Sequence, residues 1–226
     1  MRNVLIFRPM EIKNFSESQS LVNQYLLELR DVSQQGDRMR FRENIKRISY
    51  CMAYEISKQL EYSNQSVTSP MAKTKGEVLN EQPVIALVLR AGLAMHNGFL
   101  EMFDKADHCF ISAYREEGSR ENIKVHVDYL ASPDLNGRTV ILIDPMLATG
   151  SSLVLGYQAL LKKGTPKTIF VASIVAAPEG VEFIKNNIPI HTFFTASIDQ
   201  GLNDQAYIIP GLGDAGDLAY GEKKSD

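Results

Sequence analysis

A chain of 226 residues, 44% of them hydrophobic, has room for one α/β domain with a substantial core and too little for two. With 24 basic against 27 acidic side chains the formal net charge is −3, which gives no general attraction to nucleic acid or an anionic membrane surface. No apolar run reaches membrane-spanning length, and the opening run Val4–Phe7 is too short for a signal peptide. Cys51 and Cys109 stand apart in apolar contexts and read as buried reduced thiols, which suits the cytoplasm.

Residues 1–20 read as a polar arm that packs on the body or on a partner. From Leu21 to Arg30 the positions Leu21, Tyr25, Leu26 and Leu29 share one helical face. A longer helix is expected over Phe41 to Leu60, with Ile45, Ile48, Met52, Ile56 and Leu60 on its stripe. The basic run Arg38, Arg40, Arg42, Lys46 and Arg47 is read as a solvated helix face, with an anionic ligand as the other reading. Residues 61–82 are rich in Ser, Asn, Gln, Lys and Thr, and read as a surface connection with at most one short strand. Val84 to Leu89 is the first clear buried strand. It ends in Arg90-Ala91-Gly92-Leu93, which a parallel sheet would carry to its ligand side. Helical spacing follows over Met95 to Phe103, then a second strand over Cys109 to Tyr114, closed by Arg115. Residues 116–128 are expected to form a flexible excursion, with Val125 to Leu130 alternating as its returning strand.

The most informative stretch is Val140-Ile141-Leu142-Ile143 followed by Asp144-Pro145-Met146-Leu147-Ala148-Thr149-Gly150-Ser151-Ser152. Four apolar residues in a row read as a central parallel strand buried on both faces. The turn after it offers backbone N–H groups, the hydroxyls of Thr149, Ser151 and Ser152, and a helix start, which together make an anion cradle. Gly150 allows close approach to a phosphate. Asp144 is repelled by that phosphate and is better suited to accept hydrogen bonds from neighbouring sugar hydroxyls. The pattern is neither a Walker A loop nor a dinucleotide fingerprint; it reads as a sugar-phosphate site. The bland alternative is a plain strand–turn–helix with a serine N-cap. A helix from about Ser152 to Lys163, a buried strand over Thr168 to Val175, a helix from Pro178 to Asn187 and a last strand over His191 to Ala196 complete the body. Strands alternating with helices argue a parallel sheet of five core strands with right-handed crossovers.

The tail, Ile208-Ile209-Pro210-Gly211-Leu212-Gly213-Asp214-Ala215-Gly216-Asp217, carries three glycines and a proline, which are expected to exclude helix and ladder alike. Its free backbone donors and acceptors suit a planar heterocycle with alternating C=O and N–H groups. The alternative is a glycine-rich surface loop with no role.

Four segments together carry a resemblance. Leu89–Leu93, Tyr114-Arg115, Asp144–Gly150 and Tyr207–Asp217 occur in the order found in the uracil phosphoribosyltransferases of the type I phosphoribosyltransferase superfamily. They span roughly residues 85–220. The resemblance implies a single phosphoribosyltransferase domain over 1–226, with a mostly parallel five-stranded sheet flanked by helices, a flexible loop and a C-terminal hood over 207–221. It implies transfer of a phosphoribosyl group from phosphoribosyl pyrophosphate to uracil, giving UMP and pyrophosphate. Arg90 and Arg115 would then hold pyrophosphate and phosphate oxygens, and Asp144 the ribose hydroxyls. Pro145, Met146 and Leu147 would belong to the same loop, with Ala148, Thr149, Gly150, Ser151 and Ser152 wrapping the 5′-phosphate. Ile208, Gly213, Asp214 and Ala215 would read uracil, with Asp214 also facing the pyrophosphate. Arg115, Asp144 and Asp214 are the catalytic candidates. Mg²⁺ is implied as the cofactor, carried on the pyrophosphate with no dedicated protein cage. The same resemblance suggests a homodimer or larger assembly, in some relatives activated by GTP, though no residues here assign a GTP site. Two departures stand out: Ser151 replaces a usual glycine after Gly150, and Leu218 replaces a frequent arginine. The rival readings are a UMP-sensing, RNA-binding regulator of the same fold, a transferase acting on another base, and an inactive paralogue.

Overall fold

The computed structural model describes residues 10–115 and 125–223, with the backbone alone for 113–115 and 125–127. Its centre is a sheet of eight strands. In chain order these are β1 (Glu11–Asn14), β4 (Val84–Leu89), β5 (Asp107–Arg115), β6 (Val125–Ala131), β7 (Thr139–Ile143), β8 (Met146–Leu147), β9 (Thr168–Ala176) and β10 (Thr192–Ile198). The numbers β2 and β3 belong to a separate hairpin, Tyr62–Thr68 and Lys73–Leu79. The sheet runs β1-β10-β9-β7-β4-β5-β6, with the short β8 alongside β9. All neighbours are parallel except β6, which returns antiparallel on β5.

Each buried strand sends alternate residues to opposite faces. Ile85, Leu87, Ile141, Ile143, Phe170 and Phe194 pack beneath α1 (Leu21–Arg30), α2 (Arg38–Ser57), α3 (Gly92–Met102) and α6 (Ala215–Tyr220). Val84, Ala86, Val88, Val140, Leu142 and Val171 pack against α4 (Ser151–Leu160) and α5 (Pro178–Asn187). Both faces are covered, so the strands need no polar side, and this is why they read as continuous apolar runs. The two crossovers that matter diverge. From β4 the chain passes through α3 to β5 on one side; from β7 it passes through α4 to β9 on the other. The point where these directions part, between the C-terminal ends of β4 and β7, is where open α/β sheets bind ligands.

Several expectations need correction. The five expected core strands are all present, as β4, β5, β7, β9 and β10, and Val125–Ala131 returns along the edge as expected; the additions are the parallel edge strand Glu11–Asn14 on β10 and the short β8 on β9. The charged sequence Glu-Ile-Lys-Asn hid the first of these, a composition typical of protected edges. Residues 61–82 form a full hairpin, paired from Tyr62↔Leu79 to Thr68↔Lys73. It buries neither face, so no polar–apolar alternation announces it. Leu21 is 62% exposed, and Val22, Leu26 and Leu29 form the buried stripe of α1 instead. Helix α2 starts three residues early because the Asp37 carboxylate accepts the Arg40 N–H at 3.0 Å. The tail does contain both helix and ladder: Ile208–Ile209 (β12) pairs with Gly201–Leu202 (β11), and α6 follows Asp214. One turn and a half of helix tolerates Gly216 because Asp214 caps it, its Oδ1 accepting the Asp217 N–H at 3.0 Å. The expected excursion over 116–128 lies outside the described residues up to 124. Among the described residues no helix is long and apolar enough to cross a membrane.

Helix α3 meets β5 through a histidine pair, with His96 Nε2 2.9 Å from His108 Nδ1. Burial first, and the neighbouring His108 ring second, depress His96 to about 4. The folded value lies below the unfolded one, so the unfolded chain takes up this proton first as pH falls. The stabilisation is complete above about pH 6.5 and is lost between there and about pH 4, reaching about 3 kcal/mol at 1.36 kcal/mol per pH unit. Urea midpoints measured from pH 7 to 4.5 should fall in the native protein and fall less in His96→Leu. A flat wild-type series would refute this.

Candidate functional site

The site grows from the ends of β7 and β4. Strand β7 delivers Asp144, which is 8% exposed and whose Oδ1 accepts the Met146 N–H at 3.1 Å. This short turn bends the chain off the central position. The Pro145 carbonyl accepts from Ile174 and Val175 of β9, at 3.0 and 3.1 Å, and the Leu147 carbonyl accepts from Ala177 at 2.8 Å. The turn is therefore pinned to the sheet along one side, and Pro145 spends its carbonyl there. Asp144, Met146, residues 147–150, Ser152 and Leu153 line a small depression open to solvent.

Gly150 holds φ +82°, and a Cβ there would come within 3.1 Å of the Gly180 carbonyl and the Phe183 and Ile184 side chains. At Gly180, a Cβ would strike the Ala148 carbonyl. The two glycines let the first turn of α5 press against the loop and fix its shape. The Thr149 hydroxyl donates to Ser151 Oγ at 3.1 Å. Ser151, the residue in place of a glycine, thus turns toward Thr149 and is not among the residues lining the depression. The N–H groups of Ser152 and Leu153 lie in the first turn of α4, where intrahelical acceptors are absent. An anion seated in the depression meets these donors and the positive end of α4.

The tail closes over this loop. The Ala215 N–H points at Met146 Sδ, 3.4 Å away, so the residues read as the base pocket touch the residues read as the phosphate loop. Ile208 is buried, Gly213 is exposed at φ +87°, and Asp214 caps α6. Arg90, just beyond β4, reaches the same place. Its Nη2 donates to Asp217 Oδ1 at 2.7 Å and its Nη1 to the Gly221 carbonyl at 3.2 Å. Its Nε is buried and has no acceptor among the described residues. Arg115 ends β5, and its side chain lies outside the described residues.

Four of the five basic side chains in the α2 run are held by the protein itself. Arg40 pairs with Glu28, Lys46 with Glu101, Arg47 donates to Asn44, and Arg42 donates to the Ala219 carbonyl of α6. The sequence reading missed three parts of the site. These are Asp217 as the partner of Arg90, the Arg30–Asp199 pair beneath the tail, and Gln35, whose amide donates to the Leu212 carbonyl at 2.8 Å. Asp217 carried a signal, a second acid within the same tail motif; Arg30, Gln35 and Asp199 lie far from any motif.

A family model described as uracil phosphoribosyltransferase matches residues 16–222. A uracil phosphoribosyltransferase of Porphyromonas gingivalis (strain ATCC 33277) is 47% identical over 215 residues, covering 95% of this chain and all of the relative. One of Pyrococcus furiosus is 37% identical over 209 residues, covering 91% of this chain and 88% of the relative. Among solved structures, the AQ2163 protein from Aquifex aeolicus superposes with a TM-score of 0.82 at 30% identity, over 93% of this chain and 98% of that one.

Proposed function

The chain belongs to the uracil phosphoribosyltransferase family, and from that membership we propose that it moves the 5-phosphoribosyl group of phosphoribosyl pyrophosphate onto uracil, releasing pyrophosphate and UMP. One observation carries the assignment of residues. A cradle with helix-start donors, a buried carboxylate, an arginine and a glycine-rich tail meet at the switch point of a parallel sheet. In this reading residues 1–226 are one phosphoribosyltransferase domain, with 207–221 as its hood.

The 5′-phosphate sits on residues 148–150 and 152, with Ser151 bonded to Thr149 beside them, and Asp144 accepts from the ribose hydroxyls. Main-chain groups of Ile208 and residues 213–215 read uracil, laying N1 against C1 of the sugar, an effect of positioning. Cleavage of the C1–pyrophosphate bond passes through an oxocarbenium-like sugar. The Asp144 carboxylate lies on the side where that positive charge develops. Arg90 and Arg115 are assigned to the departing pyrophosphate, whose charge grows as the bond breaks, so positive charge there favours the transition state over the ground state. Mg²⁺ fits this site as an ion carried on substrate oxygens. Asp214 is the carboxylate that would face it, directly or through water, and when bound it adds positive charge to the leaving group. The protein is proposed to act as a homodimer or larger assembly. The RNA-binding alternative is not favoured: relatives carry the enzyme's name, and four of the five basic side chains on α2 have partners within the chain.

Purified protein with Mg²⁺, phosphoribosyl pyrophosphate and uracil should form UMP and pyrophosphate, while orotate, adenine and hypoxanthine should not support turnover. Turnover with another base and none with uracil would overturn the reading. Gly213→Val separates the two halves of the site. A Cβ at Gly213 meets only Leu218 Cδ1, at 3.4 Å, so the cost comes from φ +87°, which a β-branched residue resists by about 1–3 kcal/mol. The loop shifts, and the uracil KM should rise at least about tenfold while the affinity for phosphoribosyl pyrophosphate is kept. Equal loss of both would make the tail scaffold rather than base pocket.

A further inference from the structure

Asp217 lies outside the residues assigned above, yet it is the acid that meets Arg90. The guanidinium is held along one edge: Nη2 donates to Asp217 Oδ1 at 2.7 Å and Nη1 to the Gly221 carbonyl at 3.2 Å. The pair is half-buried, with side-chain exposures of 36% and 31%. The remaining donor, Nε–H, is buried and finds no acceptor among the described residues. Nε itself is shut off from solvent, so a ligand meets the exposed third of the side chain instead. A Cβ built at Gly216 would stand 3.1 Å from Asp214 Oδ1 and an ordinary 3.8 Å from Arg90 Nη2, so the glycine makes room for the Asp214 cap rather than for the arginine.

The position of Asp217 is itself set by the tail. It lies in the first turn of α6, its own N–H accepted by Asp214, and the α6 main chain is held from below by Arg42 at the Ala219 carbonyl. The residues that read the base and the acid that holds Arg90 are therefore parts of one short rigid unit.

We propose that Asp217 is a positioning residue: it fixes the Arg90 guanidinium so that the part of it left exposed is offered to the pyrophosphate of phosphoribosyl pyrophosphate, and it ties that grip to the docked tail. This rests on the functional reading above. The ion pair persists through turnover, and Asp217 touches no reacting atom. Its loss frees an arginine with many rotamers, which must then be ordered by the substrate itself.

Steady-state kinetics on Asp217→Ala and Asp217→Asn, each also built on Arg90→Ala, test this. Asp217→Ala should lower kcat/KM for phosphoribosyl pyrophosphate about 10- to 100-fold, the range for a lost charged hydrogen-bond partner. Asp217→Asn keeps an acceptor and should lose several-fold less, and the uracil KM should stay within about twofold in both. On Arg90→Ala the same changes should cost less than about twofold, because there is nothing left to position. A uracil KM that rises in step with that for phosphoribosyl pyrophosphate would make Asp217 a general prop of α6. Equal losses with and without Arg90 would break the link between them, and a gain in affinity on Asp217→Ala would show a lock that substrate must open; each overturns the proposal. Should Asp217→Ala not fold, the asparagine pair alone reads the same coupling. A wild-type protein that makes no UMP from uracil would instead overturn the functional reading, whatever Asp217 does.

Discussion

Asp144→Asn is expected to lower kcat/KM about 10²- to 10³-fold with little change in melting temperature, the scale on which a single preorganised electrostatic partner of a transition state acts. The substitution separates fold from chemistry. Asp144 Oδ1 accepts the Met146 N–H, and the asparagine carbonyl can accept the same bond, so the turn that opens the cradle persists. What disappears is a negative charge held at 8% exposure beside the proposed ribose site. In such a water-poor place a charge interacts more strongly than it would in bulk solvent. The ground state of phosphoribosyl pyrophosphate carries no positive charge on its sugar; the oxocarbenium-like transition state does. The loss should therefore fall mainly on kcat, with a smaller rise in KM. Steady-state rates at saturating uracil, beside a thermal melt, check this. A kcat/KM within about threefold of wild type would remove Asp144 from the reaction, and a large fall in melting temperature would return it to a structural role.

The site and the fold were legible to different depths, and the difference has a physical cause. Asp144 and the loop to Ser152 stood out because one buried strand runs directly into hydroxyls and glycine, so burial pattern and chemistry coincide in thirteen consecutive residues. The same holds for Arg90 after Val84–Leu89. Where no burial contrast exists, the sequence is silent. The hairpin Tyr62–Leu79 exposes both faces, and Glu11–Asn14 is an edge strand with three polar side chains around an exposed Ile12. The tail failed in the opposite direction. Its glycines and proline pointed correctly to a backbone-rich loop and wrongly excluded helix, since local propensity gave no weight to the Asp214 cap or to the α2 side chains beneath it. Least legible were contacts between distant segments. Arg30 and Asp199 are 169 residues apart, and each alone is an ordinary charged residue beside a helix or strand end.

That pair sets up the largest expected loss of stability. Asp199 follows β10 with its side chain 2% exposed, and its two oxygens take four donors. Arg30 Nη2 and the Ser197 hydroxyl each donate to Oδ1 at 2.7 Å, while Arg30 Nη1 and the Gly211 N–H donate to Oδ2 at 3.0 and 2.9 Å. Asp199→Ala leaves a guanidinium at 19% exposure without its counter-charge, and breaking one side of such a pair costs about 3–5 kcal/mol. In a chain of this length the melting temperature should fall by roughly 10 °C. The Gly211 bond adds a functional consequence, because Gly211 turns the tail at φ +59° just before Leu212 and Gly213. With that anchor gone the uracil KM should rise more than the KM for phosphoribosyl pyrophosphate. The double variant Arg30→Met/Asp199→Leu distinguishes the two roles. Exchanging both charges for apolar side chains should recover much of the stability. It restores no acceptor for the Gly211 N–H, so the uracil KM should stay high. Recovery of both would mean that Asp199 supports the tail through overall stability alone; recovery of stability without uracil affinity would show that this carboxylate holds the base-reading loop in place.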